Sequence, residues 1–193
     1  MNELRERLEV AEGQNRLNRW VAITVALVSV FMGVTKIKDD NIVQAMLQAK
    51  SDSVDRWNEY QSKKLKHHMA ELGLSQLQAL KVLAPEKAQA QFAAQQKQYQ
   101  ETIARYQVEE AELMKKAKAL EKSYDDLNYR DDQFDLSDAC LSICLGMLGV
   151  ASLTNSAGLL YLSWVFAGFG GLMGFAGLLG LAIHPDLLTK LLS

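Results

Sequence analysis

Two pairs of side chains in this sequence are of types that can bind a metal ion. Cys140 and Cys144 are four residues apart, so on a helix they share one face. His67 and His68 are adjacent, so on a helix their side chains point about 100° apart and chelate one ion poorly. No histidine or further cysteine lies near the cysteine pair to complete a four-ligand site. We therefore predict neither a metal site nor a cofactor site.

Groups of residues that usually build a catalytic site are also missing. The chain has no glycine-rich phosphate loop, no His-Glu-x-x-His motif, and no grouping of Ser, His and Asp or of Cys and His. It contains only three histidines, and two of them are neighbours. Because the catalytic parts cannot be assembled, we predict that the protein is not an enzyme and has no catalytic residue.

Three long stretches contain no charged residue, namely Trp20–Thr35, Ala139–Thr154 and Leu159–Ile183. A helix needs roughly 20 residues to cross the hydrocarbon layer of a membrane. The third stretch has that length, and the first two reach it with their flanks. A helix buried in a soluble core usually keeps a polar stripe, whereas the third stretch has only Tyr161 and Ser163 as hydroxyl groups. The sequence therefore predicts an all-α integral membrane protein with three transmembrane helices.

The predicted organisation places a long polar region between the first two spans. No small-x-small cleavage site follows the first apolar stretch, so we predict an uncleaved anchor. The segments are a polar tail at 1–18, transmembrane helices at 19–36, 137–154 and 159–183, an extramembrane helical hairpin at 37–136, and a short tail at 184–193.

The second arm of the hairpin has a heptad repeat. Large apolar residues recur every seven positions at Phe92, Tyr99, Tyr106, Leu113, Leu120 and Leu127. This spacing is typical of coiled-coil packing, and the polar Gln96 and Glu110 in the same seam weaken it. The two arms have similar lengths, so they fold back on each other as an antiparallel coiled-coil hairpin.

The first arm, from about Asp39 to Val82, has apolar residues at helical but irregular spacing. Gly73 predicts a kink or break, and a short additional helix is expected from Ser75 to Leu83. Together the arms carry more apolar residues than one seam uses. We therefore expect hairpins of several copies to pack together in a homo-oligomer.

Glycines crowd the third span. They are Gly168, Gly170, Gly171, Gly174, Gly177 and Gly180. Small residues at such spacing let helices approach closely in lipid. Because the glycines drift around the helix, we expect one close neighbour within the chain and another from a second copy. A pore lined by this span is the alternative, although the span has no ionisable group that would mark a transport pathway.

The charges of the hairpin are balanced. Residues 36–136 carry sixteen basic and seventeen acidic side chains, which argues against nucleic-acid binding. The basic run at 63–68 is either a solvated helix face or a site for lipid headgroups or an acidic partner. Arginines before the first span favour a cytoplasmic N-terminus, which places the hairpin outside the cytoplasm.

Two segments are similar to a known family. Gln44-Ala45-Met46 with Trp57-Asn58-Glu59-Tyr60-Gln61-Ser62-Lys63-Lys64-Leu65-Lys66-His67, and Tyr129-Arg130-Asp131-Asp132-Gln133-Phe134-Asp135-Leu136 leading to Ala151-Ser152-Leu153-Thr154, resemble the signatures of the bacterial membrane-protein family called domain of unknown function 4337. The resemblance implies an inner-membrane location and transfers no catalytic residue.

The first signature contains the candidate binding face of the hairpin, formed by Trp57, Tyr60, Gln61 and Lys64. Trp57, Tyr60 and Lys64 share one side of a helix. This side is expected to meet the second arm near Tyr106 or Leu113, either as an aromatic packing layer or as a site for a ligand or an unidentified protein partner. The function expected overall is that of a membrane-anchored structural or interaction protein, with an oligomeric channel as the alternative.

Overall fold

The computed structural model of the chain describes residues 2–83 and 85–181. Helix α1 runs over Asn2–Lys81, α2 over Gln89–Thr154 and α3 over Ala157–Leu179, and one 3-10 turn at Glu86–Ala88 precedes α2. No strand occurs in the described ranges, so the predicted all-α class is confirmed. The predicted C-terminal tail at 184–193 and the last two residues of the third apolar stretch lie outside the described residues.

Helix α1 is longer than the sequence pattern predicts. It begins in the polar N-terminal segment, continues through Gly73 and ends at Lys81, so the predicted break and the separate helix at 75–83 are wrong. A glycine inside a helix costs about 1 kcal/mol relative to alanine, but here the missing side chain has a packing role. A Cβ on Gly73 would lie 2.8 Å from Cε1 of Tyr99, so this glycine permits a close helix contact.

A tight turn joins α2 to α3. Asn155 has a φ of 51°, the left-handed conformation that asparagine tolerates better than most residues. The N–H of Ser156 then donates to the carbonyl of Ala151 at 3.2 Å. The turn is too short for anything except an antiparallel pair of neighbouring helices.

The chain divides into two compact units. We call Met1–Ala45 with Asp126–Ser193 the three-helix unit, and Met46–Asp125 the hairpin unit. Each unit has its own core.

The core of the three-helix unit draws on all three helices. Its buried members are Val21, Val28, Leu141, Cys144, Leu148 and Leu160. Those on α1 are seven residues apart and those on α2 follow at spacings of three and four, so each set lines one face of its helix. Many apolar side chains point outward as well. All three helices are long and apolar enough to cross a membrane by length and composition.

In the hairpin unit, the ends of α1 and α2 that belong to this unit pack antiparallel. The larger seam residues come from α2, where Leu113 is buried and Tyr106 and Leu120 are half-buried. The buried face of α1 is instead built mostly from small or polar residues. Its buried residues are Ala49, Ser53, His67 and Ala70, together with the larger Leu77.

Candidate functional site

A polar cap covers the C-terminal end of α3 in the three-helix unit. Arg130 donates from Nε and Nη2 to the carbonyl oxygen of Gly177, at 3.3 and 2.9 Å. Gln133 donates from Nε2 to the carbonyl oxygen of Leu181 at 2.8 Å. The last carbonyls of a helix lack partners within the helix and carry partial negative charge, which a cation stabilises. Two α2 side chains thus fix the position of the end of α3.

Three of the predicted glycines hold α3 against its neighbours. A Cβ on Gly170 would lie 2.8 Å from Cγ of Leu141, and one on Gly177 would lie 2.9 Å from the ring of Phe134. On Gly174 it would lie 2.7 Å from both Phe31 Cε1 and Ser137 Oγ. These helices therefore approach more closely than alanine at any of the three positions would allow.

The other three glycines are placed differently. Apart from the adjoining residues and the backbone of α3 itself, no atom of the described residues lies within 4 Å of a Cβ built on Gly168 or Gly171. Gly180 has a φ of 66° and forms the left-handed C-cap of α3, a conformation that glycine adopts without steric cost. The glycine set therefore combines three intramolecular contacts, an open face and a cap.

A cluster of carboxylates lies where α1 and α2 extend past the apolar core of the three-helix unit. Asp39 is buried and accepts a hydrogen bond from Lys36 at 2.9 Å. Burial, a hydrogen bond to Asp39 and the nearby negative charges raise the pKa of Asp131 to about 6. Burial and the charges of Asp39 and Asp132 also raise the pKa of Asp135. Asp131 can therefore hold a proton in the weakly acidic range.

In the hairpin unit, polar seam residues are matched by polar residues of α1. His67 is 8% exposed, and its Nδ1 lies 2.9 Å from Oε1 of Glu110. Lys81 donates to Gln96 at a longer 3.5 Å. Gln96 and Glu110, the polar seam residues that were expected to weaken the packing, thus each pair with a polar residue of α1. These pairs offset the cost of burying a polar group, which is high when the group has no partner.

The predicted heptad residues lie largely on the inner side of α2. Leu113 is buried, whereas Phe92, Tyr99, Tyr106 and Leu120 are half-buried. Leu127 is half-buried and belongs to the three-helix unit. The Nζ of Lys63 lies 5.6 Å from the centre of the Tyr106 ring and also 2.5 Å from Oε2 of Glu109. Cation–π and ionic contacts thus accompany the apolar seam.

The family signatures can now be placed on this geometry. The family described as Domain of unknown function (DUF4337) matches residues 17–180. The chain belongs to this family. No curated protein and no solved structure matches it. The second signature segment of the DUF4337 chain contains Arg130 and Gln133, so its polar residues hold the end of α3.

The first signature segment carries the predicted binding face of the DUF4337 hairpin. Trp57 donates from Nε1 to Oε1 of Glu121 at 2.8 Å, further along α2 than the predicted neighbours. Its ring meets the edge of Tyr60 at 5.5 Å between centroids, and Lys64 Nζ lies 5.8 Å from the centre of the Tyr60 ring. Gln61 is exposed. Trp57, Tyr60 and Lys64 thus form a chain of contacts along α1, and Gln61 faces solvent.

Sequence reasoning missed an exposed apolar stripe on α1. Leu65, Met69 and Leu72 are 63%, 64% and 59% exposed, and they lie on the side of α1 away from His67 and Ala70. Their spacing of four and three residues places them on one face. That spacing was visible in the sequence, which predicted surplus apolar residues on the arms but did not assign them to a particular face. No group of three His, Cys, Asp or Glu side chains in the described ranges could hold a metal ion.

Proposed function

We propose that the protein is a membrane-anchored structural or interaction protein that assembles with copies of itself, with the apolar spans of the three-helix unit in the bilayer and the hairpin outside it. The apolar stripe of α1 carries this proposal, because water would surround more than half the surface of three large side chains. Scattered exposed apolar residues are common, whereas a contiguous apolar face marks an interaction site.

The three-helix unit supports the membrane anchor. Apolar side chains such as Leu27, Val30, Leu153, Val165 and Leu179 are largely exposed, which suits a lipid environment. Each of the three helices has an apolar window of sufficient length. The capped end of α3 also fits a membrane, since unsatisfied backbone groups cost several kcal/mol in hydrocarbon. We assign the chain to the bacterial cytoplasmic membrane, with its hairpin on the outer side.

Native mass spectrometry of the protein in lipid nanodiscs tests self-assembly. We expect particles that contain several copies of the chain. The double variant Met69→Glu with Leu72→Glu places charges on the stripe and leaves the buried face of α1 unchanged. We expect its oligomers to dissociate. A strictly monomeric wild-type protein would refute the proposal.

The side of the membrane is tested separately with a cysteine in place of the exposed Gln100 in intact cells. A maleimide that cannot cross the inner membrane should label this cysteine. Labelling only after the cells are broken would place the hairpin in the cytoplasm.

A pore lined by α3 is the second candidate function. Gly168 and Gly171 favour it, because they leave an open, narrow face on this helix. Ion flux through reconstituted vesicles should then be blocked by Gly171→Leu, while a leucine on the outer surface of the hairpin should leave the flux unchanged. Absence of flux under voltage and under membrane tension would count against a pore.

A further inference from the structure

The hairpin unit carries a second exposed face, opposite the stripe. On α2, Ala104, Val108 and Ala111 are exposed and, like the stripe, are spaced by four and three residues. Together with neighbouring side chains they line a shallow groove. The α1 stripe therefore presents three large side chains, whereas this α2 groove presents two alanines and one valine at identical spacing.

The stripe and the groove lie at the same level of the hairpin. The pairing of α1 with α2 is fixed by contacts such as Lys63 with Glu109 and His67 with Glu110. By continuing this antiparallel register, Leu65 lies level with Ala111, Met69 with Val108, and Leu72 with Ala104. When two hairpins stand side by side in the same orientation, each large residue of one meets a small residue of the other.

One pair of charges at the rims of the two faces is complementary. Lys66 and Glu112 are both exposed. With 3.6 residues per turn, Lys66 lies about 90° around α1 from the stripe and Glu112 about 70° around α2 from the groove, in the same rotational sense. Facing antiparallel helices bring edges of the same sense together, so Lys66 of one hairpin approaches Glu112 of the next.

We propose that the α1 stripe of one copy packs into the α2 groove of a second copy in a head-to-tail arrangement. This inference rests on the proposed self-assembly and names the surfaces that perform it. Because the stripe and groove face away from each other on one hairpin, α1 and α2 alternate along a row of copies. A heterologous contact of this kind extends until rotation closes it into a ring.

Disulfide cross-linking tests the pairing. Cys140 and Cys144 are first replaced by alanine, and native mass spectrometry checks that this background keeps its oligomeric mass. One chain then carries Met69→Cys and a differently tagged chain carries Val108→Cys. After mixed reconstitution and oxidation, we expect a disulfide between the two tags. Either variant alone should give little cross-linked product.

A matched control uses the exposed Ala119 on the same helix. Ala119→Cys lies about 16 Å along α2 from Val108 at 1.5 Å per residue, so it should not cross-link with Met69→Cys. Charge exchange gives a second readout. Lys66→Glu should weaken association about two- to fivefold, as expected for an exposed pair, and adding Glu112→Lys should restore it.

The outcomes of these experiments distinguish the head-to-tail contact from the proposed self-assembly on which it rests. An intact oligomer without the Met69–Val108 disulfide would overturn the head-to-tail contact and leave self-assembly standing. Efficient disulfide formation by Met69→Cys alone would show a two-fold interface and also overturn it. A stripe that binds anionic vesicles in preference to other copies would assign the face to lipid. A strictly monomeric wild-type protein would overturn both the head-to-tail contact and the proposed self-assembly.

Discussion

Alanine at Gly174 should destabilise the three-helix unit, whereas alanine at Gly171 should not. The new Cβ at position 174 would lie 2.7 Å from both Phe31 and Ser137, about 1 Å closer than a normal van der Waals contact. The Phe31 ring has little freedom to retreat, because the Phe175 ring is 5.0 Å away between centroids. Overpacking of this kind costs roughly 1–3 kcal/mol.

Comparison of the two variants isolates the steric cost. Both positions are inside α3, so both gain about 1 kcal/mol of helix propensity when glycine becomes alanine. Gly171 has no described atom near a new Cβ. We therefore expect Gly174→Ala to be less stable than Gly171→Ala by about 1–3 kcal/mol.

Reversible unfolding in mixed micelles with increasing SDS measures this difference. Trp20 and Trp164, whose rings are 6.0 Å apart in this unit, supply the fluorescence signal in a Trp57→Phe background. Adding Ser137→Ala to Gly174→Ala removes one of the two close atoms and should recover part of the loss. If Gly174→Ala proves as stable as Gly171→Ala, the close packing of α3 described here is incorrect.

Three further predictions concern polar contacts. Arg130→Ala should lower the unfolding free energy by about 1.5–3 kcal/mol, as expected for a hydrogen bond to a charged group, and the exposed Arg105→Ala is the control in the same SDS titration. The stability of the three-helix unit should fall as pH rises from about 4 to about 6, because folding raises the pKa of Asp131 to about 6 and the folded state then holds a proton that the unfolded state releases. Asp131→Asn should flatten that part of the profile, and an unchanged profile would contradict the raised pKa of Asp131. Glu110→Ala should accelerate hydrogen exchange across the hairpin by leaving Nδ1 of the buried His67 without its partner, at a cost of about 1–3 kcal/mol. The double variant His67→Leu with Glu110→Leu should exchange at close to the wild-type rate.

The helical class and the approximate positions of the helices could be predicted from the sequence because their signals are local. Charge-free stretches and a seven-residue repeat need no knowledge of the partner surface. The continuity of α1 through Gly73 could not be predicted in this way. It depends on Tyr99, which follows in the next helix and fills the space beside the glycine.

The candidate contacts were harder to predict for a related reason. Glycine content indicated close packing of α3, but only the structure separates Gly170, Gly174 and Gly177 from the open Gly168 and Gly171. Arg130 and Gln133 belonged to a recognisable signature. Their role could be recognised only once the position of the C-terminal end of α3 was known. The α1 stripe was missed because α1 has apolar residues at helical spacing on more than one face. Their spacing alone does not show which face of α1 is buried in the hairpin.

The contacts of α3 also fix its position along its own axis relative to α1 and α2. A shift of four residues, about one turn or 6 Å at 1.5 Å per residue, would bring Leu178 or Gly170 to the place of Gly174. The same shift would put Leu181 or Met173 where Gly177 meets Phe134, and it would move the Gly177 carbonyl away from Arg130. Only one position of α3 along α1 and α2 therefore satisfies all of these contacts, so α3 cannot slide along its neighbours without losing them.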